Sequence, residues 1–329
     1  MFLIASIRRQ GIISKNMKLG LLISALATLC TSTCLGAPAA LQKGIREKFD
    51  YIPPSGLEKF ELVSKERGYN VYEGTIRGFN PIDATPFPSS FIYYRSEKTG
   101  PRPLILIQPV IRGITPVELG LAKFFASEGY HAFISKIPED IADTTRQISD
   151  FENFLLRANA AVRSQLDILA QRPEVDSTKI AAIGSSLGGI RTTFLLGSDP
   201  RPKAAMMYVA GGDLPFILAT TDQELLVNYR NFRMRDDGLA SLKEYENKIR
   251  ASMEIDPLLM APFIDTERVQ MVISQNDLTV PTSTQYKLWQ ALGRPKAQIV
   301  GAGHVGSVIT SYFHRKKILQ FFLKRWEIK

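Results

Sequence analysis

Gly184-Ser185-Ser186-Leu187-Gly188 sets a serine hydroxyl between two glycines at G-x-S-x-G spacing. Little bulk two positions either side lets a chain turn sharply from strand to helix and lift the central hydroxyl above a sheet. A serine hydroxyl is a poor nucleophile without a neighbouring base. The chain offers three histidines. His131 opens an apolar run and suits a packed or solvated position. His314 stands beside Arg315, Lys316 and Lys317 and suits a surface. His304 lies in Gly301-Ala302-Gly303-His304-Val305-Gly306, a loop that can turn an imidazole over a sheet edge. A third group must orient that imidazole and stabilise its charge. Asp277, in Asn276-Asp277-Leu278-Thr279-Val280-Pro281, precedes His304 by 27 residues, and Asp213, in Gly211-Gly212-Asp213-Leu214-Pro215, is the rival acid. Asp256 and Asp265 read as cap or turn residues. The chemistry such a set performs is attack on an acyl carbonyl. Ser186 is the nucleophile, His304 the base, and Asp277 the orienting acid.

These residues need a frame that brings positions 186, 277 and 304 to one edge. Residues 68–78 and 89–95 read as strands around a Pro-rich turn. PLILIQ (103–108) is an unbroken apolar run, the pattern of a strand buried on both faces. Further strands are expected at 131–137, 179–185, 203–211, 268–274 and 297–303. Helices are expected at 116–128, 144–171, 187–197 and about 306–326. Strands alternating with helices predict an α/β fold with a parallel sheet. About 55 residues separate the strands ending near 211 and starting near 268. That is too long for an ordinary connection. With two helical patterns, at about 222–235 and 240–253, it reads as a cap insertion (about 212–267) on the sheet's carboxyl edge, where ligands of open α/β sheets bind. Phe216, Tyr229, Phe232, Met234, Met253 and Met260 are placed to line an acyl pocket there, although cap core is the plainer position for most of them. Residues 37–68 are polar and mixed, an N-terminal extension expected to wrap the surface.

Composition narrows the rest. Hydrophobic residues make up 45% of 329 and charged residues 22%, values of a soluble globular chain that exclude a disordered or polytopic one. Net charge is +9. Residues 1–36 hold four of the 41 basic residues and none of the 32 acidic ones, so the remainder carries +5. That surplus, with no basic stripe interleaved with aromatics, argues against nucleic acid. Residues 19–30, LGLLISALATLC, follow Lys18 and precede small residues, the pattern of a secretory signal peptide over 1–36. Met17 is an alternative start. An uncleaved membrane anchor is the alternative reading, since 19–41 carry no charge. Both cysteines, Cys30 and Cys34, fall in the removable segment, so the body has no disulfide scaffold, Cys nucleophile or Cys-based zinc site. The expected place is the periplasm or the exterior.

DSTKIAAIGSSLGG (176–189), Asn276–Pro281 and Gly303–Gly306 together resemble the nucleophile, acid and histidine segments of the α/β-hydrolases. The closest resemblance is to dienelactone-hydrolase-like and prolyl-oligopeptidase-like serine hydrolases, and it covers about 69–327. It implies an eight-stranded, mostly parallel twisted sheet flanked by helices, with its first strands antiparallel. It implies hydrolysis of a small-molecule ester or related acyl bond, with no metal or organic cofactor. The same fold admits a peptidase, a thioesterase or an acyltransferase, and a binding protein without turnover remains a rival from another class. Two N–H donors must form the oxyanion hole. Leu187 supplies one. The loop after the third expected strand, Gln108-Pro109-Val110-Ile111-Arg112-Gly113, supplies the other. Pro109 has no N–H, so Val110 is the choice and Ile111 the reserve. Arg112, at the mouth, could hold a substrate carboxylate or phosphate. Ser186, where dienelactone hydrolases carry a cysteine, argues against that exact activity.

Overall fold

Apolar runs bounded by turn residues become the strands of one sheet. The computed structural model describes residues 44–137 and 143–327. The expected signal segment over 1–36, with Met17, Cys30 and Cys34, lies outside the described residues, as do residues 37–43 of the extension. Among the described residues the strands are β1 (Leu57–Glu66), β2 (Tyr69–Phe79), β3 (Pro86–Ser96), β4 (Arg102–Gln108), β5 (His131–Ser135), β6 (Val175–Ser185), β7 (Pro202–Tyr208), β8 (Val269–Ser274) and β9 (Lys296–Val300). They lie side by side in the order β1-β2-β3-β5-β4-β6-β7-β8-β9. Pairings among β1, β2, β3 and β5 are antiparallel. From β5 through β4 to β9 every pairing is parallel.

The sheet therefore has nine strands rather than the implied eight. The extra one is β1, drawn from the segment expected to wrap the surface. No residue of β1 is buried, so no apolar alternation marks it. Its side of the ladder is specified by Phe60, which stacks on Tyr72 at 4.8 Å. Lys59, Glu61, Lys65 and Glu66 cover the open edge with charge, the usual protection of an edge strand. The residues before β1 are also integral: Ile45 and Phe49 are buried, and Phe49 stacks on Phe194 at 5.4 Å.

Helices cover both faces. One face carries α2 (Asp150–Leu169) and α3 (Leu187–Ser198), and the other carries α1 (Pro116–Ser127) and, at the chain's end, α10 (Arg315–Glu327). The strand alternation sorts the core accordingly: Leu104 and Leu106 face α2, while Ile105 and Ile107 face α1. Helix α2 begins at Asp150 rather than near 144. Asp143 takes the Thr145 N–H and Asp150 the Gln147 N–H, each at 2.9 Å, in turns that compete with a helix. Between β7 and β8 lie α4 (Leu214–Thr220), α5 (Glu224–Asp236), α6 (Leu242–Ser252) and α7 (Pro257–Met260). Helix α8 (Thr282–Ala291) follows β8. After β9, the expected single helix is two, α9 (Gly303–Phe313) and α10, divided at His314. No helix among the described residues is long and apolar enough to cross a membrane.

Candidate active site

Strand β6 ends at Ser185 and α3 begins at Leu187, so Ser186 occupies the turn itself. Its backbone has φ 57° and ψ −124°, a costly conformation for a residue with a Cβ. The surroundings enforce it. The Ser186 N–H donates to the Tyr208 carbonyl at 2.8 Å. A Cβ on Gly184 would collide with the Gly188 carbonyl, and one on Gly188 with the Gln108 carbonyl. Glycine is needed at both positions because backbone passes over backbone there.

The loop after β8 brings Asp277. Asp277 Oδ1 accepts the N–H groups of Thr279 (3.0 Å) and Val280 (2.9 Å), and Oδ2 accepts from Gln285 Nε2 at 2.9 Å. Its side chain is fully buried. His304 comes from the far side of β9. His304 is in the first turn of α9, not in a loop, and helix geometry fixes its direction. His304 Nδ1 lies 2.8 Å from Asp277 Oδ2, and His304 Nε2 lies 3.0 Å from Ser186 Oγ. A carboxylate only accepts. The Nδ1 atom therefore donates to Asp277, and Nε2 is left to accept the Ser186 hydroxyl. Residues 118 and 27 positions apart in the chain thus form one hydrogen-bonded row.

The rival acid is elsewhere. Asp213 stands at the N-cap position of α4 without a capping bond, and binds Arg250 at 2.7 Å and Lys287 at 2.6 Å. Burial opposes its ionisation, but the bonds from Lys287 and Arg250 outweigh burial and hold its carboxyl below the ordinary range. Asp256 accepts the N–H groups of Asp213 (3.0 Å), Leu214 (2.6 Å) and Leu258 (2.9 Å), and burial pushes its carboxyl up. Asp265 accepts the Glu267 N–H at 3.0 Å in a turn. The other histidines are packed. His131 is wholly buried; its Nδ1 accepts the Ser96 N–H at 3.1 Å and its Nε2 faces the Glu174 carbonyl at 2.9 Å. His314 is half-buried at the α9–α10 break, 3.3 Å from the Tyr208 hydroxyl, rather than a plain surface residue.

Leu187 is the first residue of α3, so its N–H has no partner within the helix. The segment carrying Val110 is held against it. Gln108 Nε2 donates to Thr192 Oγ1 at 3.1 Å, and Thr192 donates to the Gly188 carbonyl at 2.8 Å. The Gly113 N–H closes a turn onto the Val110 carbonyl at 2.9 Å. Arg112 points to the cap instead of an empty mouth, binding Glu224 at 3.0 Å. Thr279 Oγ1 makes a second bond to the cap, to Asp222 at 2.6 Å.

Under the cap, an apolar cavity of about 40 Å³ adjoins Ser186. Leu214, Ile217, Leu218 and Leu226 form its roof, and Ile190 and Val280 lie among its other walls. None of Phe216, Tyr229, Phe232, Met234, Met253 and Met260 lines it. Aliphatic side chains of α4 take that place, because α4 follows β7 directly and lies over α3. Sequence reasoning missed Gln285, which fixes the acid loop by donating to both Asp277 and the Val280 carbonyl (2.7 Å). A glutamine inside an amphipathic helix carries no motif, so only the fold reveals it.

No protein-family model matches the chain, and no curated protein matches it in sequence. Solved structures do. An acetyl xylan esterase from Paenibacillus sp. R4 aligns at TM-score 0.67 and 21% identity, over 87% of this chain and 93% of that one. Acetyl xylan esterase 1 from Thermoanaerobacterium sp. JW/SL YS485 aligns at TM-score 0.67 and 15% identity, over 88% and 95%. At such identities the likeness is one of fold, and the fold is that of the α/β-hydrolases.

Proposed function

We propose that the chain is a serine hydrolase of carboxylic esters with small acyl groups. The observation that carries this reading is the row Ser186–His304–Asp277 at the carboxyl edge of the sheet. In the proposed reaction Ser186 Oγ bonds to the ester carbonyl carbon while His304 Nε2 takes the hydroxyl proton. Asp277 holds the imidazole and offsets its charge. The N–H groups of Leu187 and Val110 receive the oxyanion. The C–O bond to the alcohol then breaks, and His304 returns the proton to the departing oxygen. Water repeats the sequence on the acyl-enzyme and releases the acid.

The narrow apolar cavity beside Ser186, about 40 Å³, supports a short acyl chain. The acetyl xylan esterases that share the fold act, by name, on an acetyl ester, which agrees with that size. We further propose export, with residues 1–36 removed as a signal peptide. N-terminal sequencing of the protein from its host is expected to begin near Ala37, whereas an intact 19–30 run on a membrane-bound product supports an anchor.

A fluorophosphonate probe tests the nucleophile. Wild-type protein is expected to label at Ser186, and Ser185→Ala to label as well. Ser186→Ala, which removes one oxygen and adds no bulk, is expected neither to label nor to turn over an aryl acetate. Labelling of folded Ser186→Ala would overturn the assignment.

A further inference from the structure

Among the described residues, nothing covers the far end of the sheet face that carries α1 and α10. Beyond α10, the last three strands present a groove of about 710 Å³, within the range that holds a drug-sized ligand. Its floor comes from register. Gln270 pairs with Lys296 and Val272 with Gln298, so these side chains share the face of Met206 and Tyr208 on β7. A helix packed on that floor would require apolar residues at 270, 296 and 298. The sequence has two amides and an ammonium there instead. The wall is the exposed side of α10, with Lys317, Gln320 and Lys324.

Four permanent cations, Lys296, Lys317, Lys324 and Arg325, line the groove with one carboxylate, Glu267, which Arg325 binds at 2.6 Å. Among the described residues Lys296, Lys317 and Lys324 have no ion-pair partner. The groove therefore has a surplus of positive charge that nothing described on the chain offsets. Its remaining polar lining is mostly amide: Gln270, Gln298 and Gln320. Of its aromatic residues, Tyr208 and Phe321 are buried in the floor and wall, and His314 is half-buried with its imidazole against the Tyr208 hydroxyl.

We propose that this groove binds an acidic glycan, a sugar chain bearing carboxylates. Ammonium groups pair with the carboxylates, and the three amides exchange hydrogen bonds with the hydroxyls. A single-stranded nucleic acid held by base stacking would need a row of exposed aromatic platforms, and the groove offers only the half-buried His314 ring. The groove shares no residue with the cavity at Ser186, which lies beyond the strand ends beneath the cap. Binding and turnover are therefore separable.

The test is fluorescence anisotropy of the full chain with a labelled tetragalacturonate, with xylotetraose and an eight-nucleotide oligothymidylate as competitors. Labelled tetragalacturonate is expected to bind. Its affinity is expected to fall at least tenfold in the triple variant Lys296→Gln, Lys317→Gln, Lys324→Gln, and severalfold in Gln270→Leu with Gln298→Leu. Aryl acetate turnover by both variants is expected to match wild type, which also reports that they are folded. Competition by oligothymidylate stronger than by unlabelled tetragalacturonate overturns the proposal. So does equal competition by neutral xylotetraose, undiminished binding by the folded triple variant, or no binding at all.

Discussion

Helix α3 and helix α5 stand on opposite sides of the Ser186 cavity and are held by different forces. Every residue of α3 but its last is buried, whereas α5 buries three of thirteen, Leu226, Tyr229 and Arg233. The α3 side is fixed by contact: Gly184 and Gly188 leave no space, and Phe194 and Leu195 are wholly buried. The cap has a small core around Leu218, Leu226, Tyr245 and Ile249, which it shares with Ile148. Toward the rest of the molecule its outer part reaches through ions, with Glu224 to Arg112 and Glu254 to Lys48, while Leu214, Ile217, Ile255 and Met260 join the apolar core of α2 and α3. Tight packing resists displacement of even a few tenths of an ångström. Exposed ion pairs are worth about 0–1 kcal/mol each and yield readily. The arrangement places Ser186 on the tightly packed side and its cover on the side held in part by exposed ion pairs.

The largest effect is expected where the rigid side is breached. In Gly188→Ala the new methyl carbon would sit 2.7 Å from the Gln108 carbonyl carbon and 2.9 Å from the Pro109 oxygen. Backbone must shift on one side or the other, at a cost of about 3 kcal/mol or more. The displaced segment is the one that carries Val110. Urea unfolding is expected to show the loss, and any folded fraction is expected to lack turnover. A variant as stable and active as wild type would mean that the elbow is not sterically fixed, and the contrast with the cap would disappear.

Asp277→Asn comes next, with kcat lower by about 10²–10⁴. The amide keeps the shape, removes the charge and allows the wrong imidazole tautomer. Asp213→Asn disturbs two ion pairs at the base of the cap and is expected to cost far less. Both variants are to be compared on one aryl ester, with circular dichroism reporting the fold. A dead Asp213→Asn beside a healthy Asp277→Asn would move the acid to the cap and invert the division of labour.

The rigid side was also the legible one. Buried parallel strands write themselves as apolar runs, so β4, β6 and β8 stand out, and G-x-S-x-G marks the turn that follows β6. Asp277 and His304 follow from chain order and from their positions after strands. What the sequence hid was whatever burial does not encode. Strand β1 buries no side chain, and only pairing with β2 makes it a strand. The α9–α10 break at His314 falls in a stretch whose helical pattern continues on both sides. The cavity roof was sought among the cap's aromatic and sulfur residues, yet Leu214, Ile217 and Leu218 form it, since which face of α4 turns inward depends on how α4 leaves β7.

Loosening the cap is expected to change access more than chemistry. Glu224→Gln with Asp222→Asn removes the charge at the Arg112 bond and weakens the Thr279 bond. Arg112 and Glu224 are mostly exposed, so the change is at most about 1 kcal/mol, or roughly fivefold in KM, with kcat near wild type and a weaker salt dependence. A large fall in kcat would show that the cap helps to place the reacting groups, contrary to the division drawn here.

The smallest effect separates the two sides by their response to acid. The rigid side contains a neutral imidazole. Burial pushes His131 below its ordinary value, more than the bond to the Glu174 carbonyl raises it. Protonation would also force Nδ1 to give up the Ser96 N–H. The unfolded chain, with an ordinary histidine near pH 6.5, binds this proton before the folded one does. Stability from His131 is therefore complete above about pH 6.5 and declines as the pH falls below it. The cap's Asp213 behaves differently. Its carboxyl lies below the ordinary range when folded, so its contribution persists until the pH drops under about 3.9, where the unfolded chain starts to take up the proton. Urea-unfolding free energies between pH 7.5 and 5 should fall for wild type. His131→Gln offers an amide that does not titrate, and its slope over that interval should be flatter, whatever its stability at pH 7.5. Asp213→Asn should keep the wild-type slope there and differ only below pH 4. Equal slopes for wild type and His131→Gln would mean that the buried imidazole is not what makes the rigid side sensitive to mild acid.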